Sequence, residues 1–146
     1  MQLTRALDFT IAISLLSSFF ATSDSTIVNP KVVQSSASDT WLVMLYQNGD
    51  DEVIEEDTLY DFNEAELVGS TKQVTIVSQL DRYDWGSDGN GEWTGTKRFL
   101  ITKDSDLYTI RSKELADLGE MDMGNPKTLI DFATWAIKTY AADHYV

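Results

Sequence analysis

Hydrophobic and polar positions alternate between two kinds of spacing along most of this chain. Trp41-Leu42-Val43-Met44-Leu45-Tyr46 is an unbroken apolar run ended by Gln47-Asn48-Gly49-Asp50, the pattern of a strand buried on both faces. Leu59, Phe62, Ala65 and Leu67 then recur at helical spacing until Gly69 stops them. Val74, Ile76, Val77 and Leu80 mark a second buried strand, with Asp81-Arg82 at its C-terminal end. Thr94 to Thr102 is rich in β-formers and reads as half of a small β-hairpin insertion lying off the main sheet. Asn125-Pro126 opens the clearest helix, with Asn125 as N-cap, Pro126 at the first helical position and an apolar face of Leu129, Ile130, Phe132, Ala133, Ala136 and Ile137. His144-Tyr145-Val146 starts a third strand. Strand and helix in this order predict an α/β fold with a mostly parallel central sheet, and the incomplete last strand makes the chain read as half of an α/β sandwich, a fragment with an open sheet edge.

The N-terminal residues follow a different pattern. Arg5 precedes an uncharged stretch from Phe9 to Ala21, and Ala21-Thr22-Ser23 offers the small residues of a cleavage site, so residues 1–23 read as a secretory signal peptide. The apolar run is shorter than the ~20 residues a membrane-crossing helix needs, which argues against a permanent membrane anchor. Residues 24–40, Ser/Thr-rich and containing Pro30, read as a spacer, and residues 41–146 as the folded region. The expected location is secreted or cell-surface.

Composition narrows the chemistry. The 146 residues carry 24 acidic against 11 basic side chains, a net charge of −13, which opposes nucleic acid as a partner because such binding rests on Lys and Arg neutralising phosphates. There is no Cys, which excludes a disulfide, a thiolate metal site and a thiol nucleophile within these residues. A single His, His144, excludes a multi-histidine metal centre.

The candidate groups are mostly carboxylates. Asp81 and Arg82, at a strand end where α/β sheets gather ligand loops, are candidates for a substrate-side loop or for an internal pair. Asp84 and Asp88, among Gly86, Gly89 and Gly91, supply oxygen ligands of the kind calcium takes, without the EF-hand spacing; a Gly-rich turn is the competing reading. Asp50, Asp51, Glu52, Glu55, Glu56 and Asp57 read as a solvated helix start favoured by the helix dipole. Asp143-His144 could pair as an oriented base, but with no nucleophile apparent a structural histidine is the simpler reading. Trp41, Trp85, Trp93 and Trp135 read as core and hairpin anchors, and no phosphate-binding glycine motif is present.

Five blocks, taken in order, resemble the clostripain family of cysteine peptidases. They are Trp41 to Tyr46 with its Asn/Asp turn, Asp61-Phe62-Asn63-Glu64-Ala65-Glu66-Leu67-Val68-Gly69-Ser70, Val74 to Arg82, Trp93 to Asp104, and Leu118 to Pro126 with the helix that leads to Ala142-Asp143-His144-Tyr145. The resemblance implies a caspase-like three-layer sandwich and a secreted endopeptidase that cleaves protein or peptide substrates after Arg or Lys. Its His-Cys dyad uses the imidazole to take the thiol proton, so that the thiolate attacks the scissile carbonyl. In that family the catalytic His follows the third strand in an Asp/Asn-His-Gly turn, the Cys follows the fourth, and the acidic residue selecting basic substrates lies further on. None of these positions falls within this chain, and His144 matches the strand-leading His. The expectation is therefore the N-terminal part of such a peptidase, inactive without its missing C-terminal half. The alternative is a non-enzymatic acidic module that binds a partner or calcium.

Overall fold

In a computed structural model that describes residues 39–84 and 90–146, the apolar run Trp41–Gly49 forms strand β1 and lies parallel to β2 (Val74–Arg82), in a register that sets Trp41 opposite Val74 and Asn48 opposite Asp81. Between them, helix α1 (Glu55–Val68) crosses one face of the sheet. Its inward stripe is Glu55, Leu59, Phe62, Asn63 and Glu66, the i, i+4, i+7, i+8, i+11 spacing of a single helical face. Asp51 Oδ1 accepts from the Val53 and Ile54 backbone N–H groups and so orders the entry to α1, although the N-cap itself, Ile54, has no side-chain cap.

The next two strands correct two expectations. Strand β3 (Gly95–Leu100) pairs antiparallel with β2, and β4 (Lys113–Gly119) pairs antiparallel with β3, so the hairpin is part of the main sheet. The sheet order is β4-β3-β2-β1-β5, where β5 (His144–Tyr145) runs parallel to β1. Two of the four pairings are antiparallel, so the sheet is mixed and not mostly parallel. The physical reason lies in the β-rich segment at 94–102: its backbone groups satisfy the free side of β2, which no parallel strand occupies. β4 is harder to read because Lys113, Glu114 and Asp117 give it the charged character of an edge strand.

Period-two alternation along β2 divides the core. Ile76 and Leu80 face α1 and pack with Leu59, Phe62, Phe99 and Ile101. Val77 faces the other side, where Leu42 and helix α2 (Pro126–Thr139) supply Phe132 and Ala136. One helix on each face makes three layers. Asn125 caps α2 as expected, its side chain accepting from Lys127 N. The apolar face of α2 is narrower than expected: Phe132 and Ala136 are buried with Thr128, whereas Leu129, Ile130 and Ile137 remain exposed. The signal-peptide reading, and the spacer up to residue 38, lie outside the described residues. Among the described residues no helix is long and apolar enough to cross a membrane.

Candidate functional site

Three of the four strands that run the same way each deliver a carboxylate at the C-terminal end. Asp50 follows β1, Asp81 lies near the end of β2, and Glu120 follows β4, which the two antiparallel pairings make parallel to β2. One oxygen from each lies within 4.8 Å of the others. Asp81 is buried at 1% exposure, while Asp50 and Glu120 are exposed. The Thr96 hydroxyl, on β3, donates to Asp81 Oδ1 at 2.6 Å.

The wall beside this cluster is polar but bonded. Tyr46 donates its hydroxyl proton to the Met123 carbonyl at 3.0 Å, and Gln79 Nε2 points at Met123 Sδ at 3.3 Å. Arg98 Nε donates to Gln79 Oε1 at 2.9 Å, and its guanidinium lies 4.5 Å from the centre of the Trp135 ring. These contacts hold the turn between β4 and α2, and so the segment bearing Glu120, against the sheet.

Crowded carboxylates resist ionisation. Burial, reinforced by the charges of Glu120 and Asp50 and opposed by the Thr96 hydrogen bond, pushes the Asp81 carboxyl from 3.8 up to about 6. Partial desolvation and the charges of Asp50 and Asp84 also raise Glu120, and burial followed by the charges of Asp81 and Asp122 raises the Tyr46 phenol. A carboxyl poised near neutrality can exchange a proton with a bound group, and three oxygen donors of this kind are the chemistry that suits a hard cation.

The Asp81 shift has a measurable consequence. The folded chain binds the Asp81 proton between pH 6 and 4 while the unfolded chain does not, so this residue lowers stability above pH 6 and the penalty fades as pH falls toward 4. Asp81→Asn keeps an acceptor for Thr96 and removes the charge. It is expected to be more stable than the parent at pH 7.5, by on the order of 2 kcal/mol, and to converge with it by pH 4 in urea titrations. A stability gap that is the same at both pH values would refute the assignment.

The other sequence candidates separate from this cluster. Arg82, next to Asp81, faces the opposite side of the sheet as strand alternation requires. It is buried, with Nε 2.8 Å from Glu55 Oε1, Nη1 donating to the Gly91 carbonyl at 2.8 Å, and its guanidinium 4.9 Å from the centre of the Trp93 ring. Glu55 therefore departs from the solvated helix start that Glu56 and Asp57 form. Asp84 is exposed and near enough to raise Glu120 electrostatically; Asp88 lies outside the described residues. His144 stacks on Trp41 at 4.4 Å and its Nε2 is 3.1 Å from Asp39 Oδ2, while the Asp143 carboxylate accepts from the Thr40 N–H and hydroxyl, both at 2.8 Å. This pair belongs to the start of β1, roughly 25 Å along the strand from the acidic cluster at about 3.3 Å per residue.

Sequence reasoning missed the joining of Asp50 and Glu120 to Asp81. The available signal was a carboxylate at or just beyond the end of each strand, but β4 has to be recognised before Glu120 can be placed.

No family model matches the sequence, and no curated protein matches it. Among solved structures, a B. fragilis cysteine protease is similar with a TM-score of 0.53 and 11% sequence identity, over 73% of this chain and 82% of that one. The fold of this chain is similar to that of this protease. At this identity the likeness concerns architecture alone, a mixed sheet in an α/β sandwich. Within this fold the acidic cluster occupies the end of the sheet at which ligand-binding loops gather in α/β proteins.

Proposed function

We propose that this chain is the N-terminal part of a secreted, clostripain-like cysteine endopeptidase acting on proteins or peptides after Arg or Lys. The observation that carries the reading is the cysteine-protease architecture spanning 73% of the chain, to which the five sequence blocks add the family. In this reading the residues here supply scaffold and not chemistry. No Cys is present to form a thiolate, and the one imidazole, on His144, is engaged by Asp39 and Trp41 at the start of β1. The nucleophile and its base must therefore come from polypeptide outside these residues, and the chain by itself is inactive.

The test compares this chain with the product of the reading frame continued downstream of the Val146 codon in the source. The purified 146-residue chain is expected to give no hydrolysis of peptidyl-Arg or peptidyl-Lys amides. The continued product is expected to hydrolyse them and to lose that activity on treatment with iodoacetamide, which alkylates thiolates. Turnover by the 146-residue chain, or a continued product without thiol-dependent activity, would overturn the proposal.

A further inference from the structure

Away from the acidic cluster, the α1 side of the sheet has a pocket of about 150 Å³ between α1 and the 104–110 segment, lined by Glu56, Leu59, Tyr60, Asn63, Leu107 and Tyr108, with Asn90 at its border. Leu59 and Asn63 are buried and form its floor; Tyr60 and Tyr108, 43% and 78% exposed, stand at its mouth with the exposed Glu56. The volume matches one side chain or a molecule of about six heavy atoms, well below the usual size of a cofactor site.

The polar valences of this lining are one-sided. Asn63 is 1% exposed, and its Nδ2 donates to the Leu59 carbonyl at 2.7 Å and toward Asn90 Oδ1 at 3.4 Å, but its Oδ1 accepts no hydrogen bond among the described residues. Asn90 Oδ1 is already used, since it also accepts from Ile110 N. A buried acceptor without a donor destabilises its surroundings, and a donor delivered to the floor would relieve that cost. Glu56 adds an anion at the mouth, among the described residues no Lys, Arg or His lines the pocket, and the chain as a whole carries −13. Two leucines and two tyrosine rings suit an alkyl stem, and tyrosine faces attract cations.

We infer that this pocket binds a primary ammonium group on a short alkyl stem, with Leu59 and Leu107 against the stem and Asn63 Oδ1 and Glu56 receiving the ammonium. A free alkylamine and a side chain of a peptide both present this ammonium, and the chemistry recognised is the same. The site is independent of the peptidase reading, because it uses the opposite side of the sheet from Asp81.

Three small probes added to the ¹⁵N-labelled full chain separate the contributions. n-Butylammonium carries the stem, the donor and the charge; n-butanol lacks the charge; tetramethylammonium lacks the donor and the stem. Saturable 1:1 shifts of the Tyr60, Leu107 and Tyr108 amides are expected with n-butylammonium, with binding at least tenfold weaker for the other two. Glu56→Gln and Tyr108→Ala, both at exposed positions, are each expected to weaken n-butylammonium at least fivefold without altering the thermal transition. A lysine-containing peptide blocked at both ends that binds more tightly than n-butylammonium would identify a peptide side chain as the source, and weaker binding the free amine. Shifts that tetramethylammonium reproduces at equal concentration would mean general attraction of cations to an acidic surface, and would overturn the site. So would the absence of saturable shifts, or binding unchanged in both variants.

Discussion

Arg82→Met is expected to destabilise the folded chain by about 3–5 kcal/mol, the range found when one member of a buried ion pair is removed and the other stays in a low-dielectric surrounding. Arg82 and Glu55 have side chains only 3% and 2% exposed, at 2.8 Å from each other. The guanidinium also satisfies the Gly91 carbonyl and covers the Trp93 ring, so it ties together the end of β2, the start of α1 and the approach to β3. Replacing both charges with apolar residues of similar volume, Glu55→Leu with Arg82→Met, should recover much of the loss, because no unpaired charge is then left buried. Urea unfolding of the parent, both single variants and the double variant gives the coupling energy directly. Additive single effects would show that the pair is not coupled. A single Arg82 variant of parental stability would return Arg82 to the role of a substrate-facing side chain.

Gly69→Ala is expected to cost at least about 3 kcal/mol, through two effects that act together. Gly69 ends α1 with φ at +66°, in the left-handed region that a residue with a Cβ adopts at a cost. A Cβ there would stand 2.6 Å from Lys103 Cα and closer still to its backbone N, so relief requires the main chain to move. That movement is resisted because the neighbouring segment is bonded on both sides: Ser70 N donates to the Ile101 carbonyl, Asp104 N to the Glu66 carbonyl, and the buried Glu66 carboxylate accepts from the Arg111 and Ser112 N–H groups. In thermal melts the loss corresponds to a fall of roughly 10–20 °C for a domain of this size. A fall of less than 3 °C would show that the 101–104 segment yields more easily than its hydrogen bonds imply.

Both substitutions involve positions that the sequence marks only partly. Gly69 is legible as a helix stop because it follows the last apolar residue of a helical stripe; that its α-carbon abuts Lys103 depends on a contact across 34 residues of chain. Arg82 is legible as the end of a buried strand. Its partner is hidden inside a run of six carboxylates, where nothing local distinguishes Glu55, the buried one, from Glu56 beside it.

Short-range physics accounts for what could be read from residues alone. The apolar runs of β1 and β2, the Asn125 cap with Pro126, and the stop at Gly69 each depend on interactions within a few residues, and those are written consecutively in the chain. Alternation also places Asp81 and Arg82 on opposite faces once β2 is recognised. The antiparallel pairing of β3 to β2, the existence of the charged edge strand β4, and the exposure of Leu129, Ile130 and Ile137 on α2 depend instead on which surfaces the sheet leaves available. The acidic cluster lies furthest from sequence view. Asp50, Asp81 and Glu120 are separated by 31 and 39 positions, and only the common direction of β1, β2 and β4 brings their oxygens within 4.8 Å. Local patterning thus determined the elements and their caps, whereas the burial that raises Asp81 to about 6, and the charges of Glu120 and Asp50 that reinforce it, arose from strand order, because burial and charge act through space and not along the chain.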